Sequence, residues 1–153
     1  MRGHIGRCAT VTEFVLKTVF QELYEQRVVL EGMVLKPNMV IAGKKSPRQA
    51  CVGEVAEKTL LVLKRCVPGI AFLSSGQSDE EATAHLDAMN RIGGVPWRLT
   101  FSYGRALQAT PRKAWSGKPE NVEAAQRAFS HRATMNGLAS TGQWQGSLEE
   151  KAA

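Results

Sequence analysis

The sequence is poor in cysteine and histidine, and neither residue type is spaced as in a disulfide framework or a metal site. Its three cysteines, Cys8, Cys51 and Cys66, are odd in number and form no CxxC pair. This pattern argues against a secreted, disulfide-stabilised protein and favours a reducing, cytoplasmic location. The three histidines are far apart and form no HExxH or HxH motif, so we predict no metal site.

Long apolar runs and clustered basic residues are also missing. No stretch of about 18 apolar residues occurs, and no signal-peptide pattern follows Met1, so we expect no membrane contact and no export. The net charge is +6, but the lysines and arginines are scattered without interleaved aromatics. We therefore predict no nucleic-acid binding and interpret the charge as suited to an anionic small molecule. A nucleic-acid or regulatory binding module is an alternative that rests on charge alone.

Apolar and polar residues are patterned through most of the chain. With 153 residues, 43% of them hydrophobic, the sequence suits one domain with a real core. We place this domain at residues 1–139, and we expect the polar, poorly patterned residues 140–153 to form a flexible tail.

Helical and strand patterns alternate along the chain, which predicts an α/β fold with parallel strands and crossover helices. Capping boxes at Thr10 and Ser78 mark the starts of two helices. We predict helices at 10–26, 50–66, 79–90, 106–115 and 121–138, and strands at 28–36, 69–74 and 97–103. A doubly wound sheet is possible. A (β/α)8 barrel takes about 250 residues, so this chain has room for less than half of one.

Lys36 is the strongest candidate for a reactive side chain. Residues 28–36 are apolar and β-branched, as in a strand buried on both faces. Pro37 cannot donate to a sheet ladder, so it places Lys36 at the carboxyl end of that strand, where parallel barrels carry their chemistry. Most lysines are solvated charges. A nucleophilic lysine needs a lowered pKa, which burial or nearby positive charge provides.

The other two strand ends also carry polar residues that suit an anion. Ser74, Ser75 and Gly76 follow the second strand, and the string from Ser102 to Arg105 follows the third. Barrels often bind phosphate with the loops after their last strands, through backbone amides and a planar arginine fork. The alternative is a plain strand-to-helix turn, in which Gly76 supplies an unusual backbone angle and Arg105 is a surface ion-pair residue.

Three strings of the sequence closely resemble motifs of class I fructose-bisphosphate aldolase. They are the LEGMVLKPNMV string at 30–40, FLSSGQS at 72–78 and LTFSYGRALQ at 99–108. The resemblance runs from about Arg7 to Trp144, in the family's order. It implies that the fold is a partial (β/α)8 barrel comprising the last three strands and their helices. It also implies metal-independent, reversible cleavage of fructose 1,6-bisphosphate to dihydroxyacetone phosphate and glyceraldehyde 3-phosphate, in glycolysis and gluconeogenesis, without a cofactor.

The resemblance also implies roles for individual residues. Lys36 matches the lysine that forms the Schiff base with the substrate. The residues that match the phosphate-binding group are Ser74, Ser75, Gly76, Ser102, Gly104 and Arg105. Glu31 and Asn38 lie within the lysine motif and are given a supporting role. The expected ligand is a phosphorylated sugar.

Strands one to five of the family's barrel have no counterpart in this sequence. Those strands carry the family's proton-transfer groups, and their absence leaves a second hypothesis open. The chain would then be a truncated aldolase remnant that binds phosphate or a partner chain without turnover. Open sheet edges favour such association. The expected partners are copies of the chain itself, in a homo-oligomer, or a separate amino-terminal half.

Overall fold

The computed structural model describes residues 4–66, 70–74 and 76–149, and these form an α/β fold. In chain order the elements are α1 (Ile5–Glu25), α2 (Val52–Lys64), β1 (Ile70–Phe72), α3 (Asp79–Ile92), β2 (Leu99–Phe101), α4 (Arg105–Trp115) and α5 (Val122–Ala139). Short 3-10 turns occur at Leu30–Gly32, Pro119–Asn121 and Gly146–Leu148. The predicted α/β class is confirmed.

Three chain segments run in parallel at the centre of the fold. β1 pairs with β2 in parallel, with Ile70 opposite Leu99. On the other side of β1, Leu35 forms a single parallel bridge with Ile70. α2 lies in the chain between the Leu35 segment and β1, and α3 lies between β1 and β2. Helices therefore connect parallel neighbours, as parallel pairing requires.

The core lies on one face of this small sheet, beneath α2 and α3. Ile70, Phe72 and Leu99 are buried there, whereas Thr100 of β2 is exposed. Neighbouring side chains of a strand point to opposite faces, so the contrast between Leu99 and Thr100 defines a covered face and an open face. In β1 all three residues are buried, including Ala71 on the open face. The helices contribute further fully buried side chains to the covered face: Val55, Leu60, Leu63, Leu86 and Met89.

The predicted strand at 28–36 is wrong for most of its length. A 3-10 turn occupies Leu30–Gly32, and only Leu35 joins the sheet. Val29 and Val34 are 70% and 68% exposed, so the prediction of burial on both faces is also wrong. β-branched residues favour strands because they pack against neighbours on the pleated surface, and this segment has a neighbour on one side only among the described residues.

Helix α1 begins at Ile5, five residues before the predicted capping box. Thr10 is inside the helix, where its hydroxyl donates to the Gly6 carbonyl at 3.1 Å. Glu13 does not reach back to Thr10, because its carboxylate pairs with Lys17 and Arg65. The capping box at Ser78 is confirmed, and it starts α3.

Residues 140–149 lie against the helices. The Trp144 amide donates to Asp87 at 2.9 Å, and the Trp144 carbonyl accepts from Arg91 at 2.6 Å. Glu149 accepts two hydrogen bonds from the buried Arg132. These contacts join Trp144 and Glu149 to α3 and α5. Residues 150–153 lie outside the described residues, and the domain at 1–139 and the flexible tail at 140–153 stay predictions.

Candidate functional site

Backbone hydrogen bonds bring the three predicted strand ends to one edge of the sheet. The Leu73 amide donates to the Pro37 carbonyl at 3.1 Å, which fixes the residue after Lys36 against the end of β1. The Ser102 amide donates to the Phe72 carbonyl at 2.8 Å, which fixes the end of β2 against the same strand. The loops after all three segments therefore begin next to one another.

Lys36 lies on the open face of the sheet. The bridge between Leu35 and Ile70 places Lys36 level with Ala71, which is the register partner of Thr100. Lys36 is exposed, because no described element covers this face. Burial on both faces, which was predicted for the strand at 28–36, is therefore not observed at Lys36.

The chain that follows Lys36 is held against α2 by a hydrogen bond. The Val40 amide donates to the buried Thr59 hydroxyl of α2 at 2.9 Å. Glu31, in the 3-10 turn, and Asn38, directly after Pro37, are both exposed. Their supporting roles stay a prediction.

The loop after β1 is a tight turn that leads into α3. Ser74 is buried, and its carbonyl accepts from the Gln77 amide at 2.9 Å and from the Gln77 side chain at 3.0 Å. Gly76 has a φ of +84°, a left-handed conformation that strains a residue with a side chain. This geometry matches the turn alternative, in which Gly76 supplies the unusual backbone angle. Ser75 lies outside the described residues.

The loop after β2 meets the loop after β1 through Arg105. Ser102 is partly buried, Gly104 precedes α4, and Arg105 is the first residue of that helix. The Arg105 guanidinium donates to the Gln77 carbonyl at 3.5 Å. Among the described residues, no carboxylate forms an ion pair with Arg105. The guanidinium is therefore exposed at the turn and is not held by a protein carboxylate there.

Lys44 is a residue of this region that the sequence did not indicate. It lies in the loop between the Lys36 segment and α2, and its side chain reaches the Gly76 turn. A Cβ placed on Gly76 would lie 3.2 Å from Lys44 Cε, 3.4 Å from Lys44 Nζ and 4.0 Å from Arg105 Nη2. Two cationic groups thus approach one point. No spacing rule links Lys44 to Gly76, since the path of the loop alone brings them together.

The whole chain matches a known family. Residues 2–153 match the family model described as "Glycolytic: Fructose-bisphosphate aldolase class-I". The chain belongs to the class I fructose-bisphosphate aldolase family. It is 51% identical over 147 residues to the "Probable fructose-bisphosphate aldolase class 1" of Xanthomonas campestris pv. campestris. It is 52% identical over 145 residues to fructose-bisphosphate aldolase B of Gallus gallus.

A solved structure of an aldolase has the same fold as this chain. It is fructose-bisphosphate aldolase from Plasmodium falciparum in complex with TRAP and a small molecule inhibitor, with a TM-score of 0.92 and 46% identity. The match covers 95% of this chain and 43% of that one. The matches cover 93% of this chain and 44% of the Xanthomonas protein, and 92% of this chain and 40% of the chicken protein. The chain thus spans less than half the length of these aldolases.

A buried histidine lies behind the aldolase motifs. His85 of α3 hydrogen-bonds through Nδ1 to the Gln77 side-chain oxygen, and Gln77 Nε2 contacts both Ser74 O and Met39 Sδ. Burial lowers the pKa of His85, and the nearby Glu81 carboxylate partly opposes that shift. Gln77, Glu81 and His85 line a cleft of about 640 Å³, which Lys44 and Gly76 also line.

The described residues contain no group of three or more histidine, cysteine, aspartate or glutamate side chains that could hold a metal ion. No helix within the described ranges is long and apolar enough to cross a membrane.

Proposed function

We propose that this chain acts in the reversible cleavage of fructose 1,6-bisphosphate to dihydroxyacetone phosphate and glyceraldehyde 3-phosphate. The observation that carries the proposal is that Lys36, the Ser74 turn and Arg105 follow three adjacent parallel segments at one sheet edge, in a chain of the class I aldolase family. In this proposal the three segments are the last three strands of a (β/α)8 barrel, and the open face points to the barrel interior.

In the proposed reaction, the neutral amine of Lys36 attacks the ketone carbon of the substrate, and loss of water with uptake of one proton leaves an iminium ion. The carbon-carbon bond then breaks as the hydroxyl of the leaving carbon gives up its proton and becomes the aldehyde, and the electron pair of the bond moves into the iminium to form an enamine. Protonation of the enamine carbon and hydrolysis of the imine release dihydroxyacetone phosphate and restore the Lys36 amine. Ser74, Ser75, Gly76, Ser102, Gly104 and Arg105 are the proposed partners of the phosphate on the dihydroxyacetone portion. Arg105 suits this role because a planar guanidinium can donate two parallel hydrogen bonds to phosphate oxygens.

The exposure of Lys36 favours a second candidate function. Among the described residues, no element encloses the Lys36 amine on the open face. Val11, Val15 and Val19 of α1 are also 41–48% exposed, so the apolar stripe of that helix is uncovered. In this candidate the chain binds the phosphorylated ketose and associates with a chain that supplies the remainder of the barrel, and only the assembly turns over.

A coupled assay for glyceraldehyde 3-phosphate separates the two candidates. For the enzyme, we expect the purified chain to cleave the bisphosphate, and Lys36→Met to abolish cleavage because no amine remains to form the imine. Lys45→Met is the matched control, since Lys45 is an exposed lysine in the loop after the Lys36 segment. Equal rates for wild type and Lys36→Met would contradict the proposal. A wild type that binds substrate without cleavage would favour the second candidate.

A further inference from the structure

The Gly76 turn carries more positive charge than its own residues provide. Lys44 Nζ lies 3.4 Å, and Arg105 Nη2 4.0 Å, from the point where a side chain on Gly76 would begin. Two cations that share one small space repel each other, and desolvation by a ligand strengthens the repulsion unless an anion lies between them. A glycine at this point lets the Lys44 side chain approach the turn, since a Cβ there would lie only 3.2 Å from Lys44 Cε.

The described carboxylates do not neutralise this pair. Lys44 and Arg105 are in no ion pair among the described residues. Glu81 lines the same cleft, but one of its carboxylate oxygens accepts from the Ser78 amide at 2.8 Å in the capping box. The hydrogen bond with Ser78 is the largest of the effects that lower the pKa of Glu81. Glu81 therefore forms a hydrogen bond at the start of α3 and no ion pair with Lys44 or Arg105 among the described residues.

The ordinary alternative is that Lys44 is a solvated surface lysine, since it is exposed. Lys45, its neighbour, fits that description, because no polar contact of Lys45 occurs among the described residues. Lys44 differs because its side chain folds over Gly76 and converges with Arg105. Lys44 and Lys45 carry the same charge, and they differ in that only Lys44 lies over Gly76.

We propose that Lys44 is a ligand of the phosphate of the dihydroxyacetone portion and makes this turn selective for a dianionic phosphate ester. The inference rests on the proposed function, which places that phosphate at Ser74, Gly76 and Arg105. Lys44 adds a second full positive charge opposite Arg105. It therefore favours a doubly charged phosphate over a neutral hydroxymethyl group of the same ketose.

Isothermal titration calorimetry of the full chain with dihydroxyacetone phosphate, and separately with inorganic phosphate, tests this role. We expect Lys44→Gln to weaken both affinities by about tenfold, since a charge-assisted contact is lost. Lys45→Gln, the matched control, should leave both unchanged. The loss should shrink at high salt, because exposed charges are screened.

The results separate the role of Lys44 from the proposed aldolase function. If the wild type binds dihydroxyacetone phosphate and Lys44→Gln binds equally well, the role of Lys44 is overturned and the proposed function stands. Equal weakening by Lys44→Gln and Lys45→Gln overturns it too, since general charge would then explain the effect. If the wild type binds neither ligand, the phosphate turn and the role of Lys44 are both overturned.

Discussion

Gln77 links the buried His85 to the Gly76 turn. Its side chain links His85 to Ser74, and its carbonyl accepts from Arg105. Since Gln77 Nε2 donates to Ser74, its Oε1 accepts, and His85 Nδ1 must be the donor in that pair. The FLSSGQS motif indicated the serines and the glycine. It gave no sign of His85, because the distance between α3 and the turn depends on how the helix packs.

Because the pKa of His85 is lowered in the folded protein, we expect the stability of the fold to depend on pH. Burial lowers the pKa of His85 in the folded protein, so below about pH 6.5 the unfolded chain binds the extra proton more readily. The contribution of His85 to stability is therefore present above that pH and is lost as the pH falls.

Urea unfolding at about pH 7.5 and about pH 5.5 measures this effect. The free energy of unfolding should fall between the two pH values, and it should fall less in His85→Gln, which cannot take up the proton. His4→Gln serves as the control, since His4 is exposed. If the free energy of unfolding of His85→Gln changes with pH as much as that of the wild type, His85 is not the source of the pH dependence.

At the scale of elements, local patterns predicted the helices better than the strands. The Ser78 box works because Glu81 lies within reach of the Ser78 amide and has no competing cation. The same pattern at Thr10 forms no capping box because α1 already begins at Ile5, and Glu13 instead pairs with Lys17 and with Arg65, the residue after α2. The strand at 28–36 could not be predicted correctly, since its pairing depends on neighbours that sequence periodicity does not reveal.

The two candidate capping boxes give a matched pair of stability measurements. We expect Ser78→Ala to lower the free energy of unfolding by about 1 kcal/mol, because the Glu81 amide loses its acceptor. Thr10→Ala lies inside a helix and should change it by less than about 0.5 kcal/mol, with a tendency to stabilise. Equal losses in urea titrations of the two variants would contradict the observed start of α1.

At the scale of the whole molecule, the fold presents one covered face and one open face. The covered face packs beneath α2 and α3, and the open face carries Lys36 and Thr100. Strand alternation was implicit in the sequence, but burial of the Lys36 face was predicted and is not observed. The described residues include no element that covers it. Turnover therefore depends on what surrounds Lys36, whereas the order of the three strand ends is already set within this chain.

We propose above that Lys36 forms an imine while the turn around Gly76 holds the phosphate of the same ketose. Borohydride reduction of the chain with dihydroxyacetone phosphate, followed by peptide mass spectrometry, tests both roles at once. We expect a reduced adduct concentrated on Lys36, and far less adduct with dihydroxyacetone, which lacks the phosphate. No adduct, or an adduct spread evenly over Lys36, Lys44 and Lys45, would contradict the proposal.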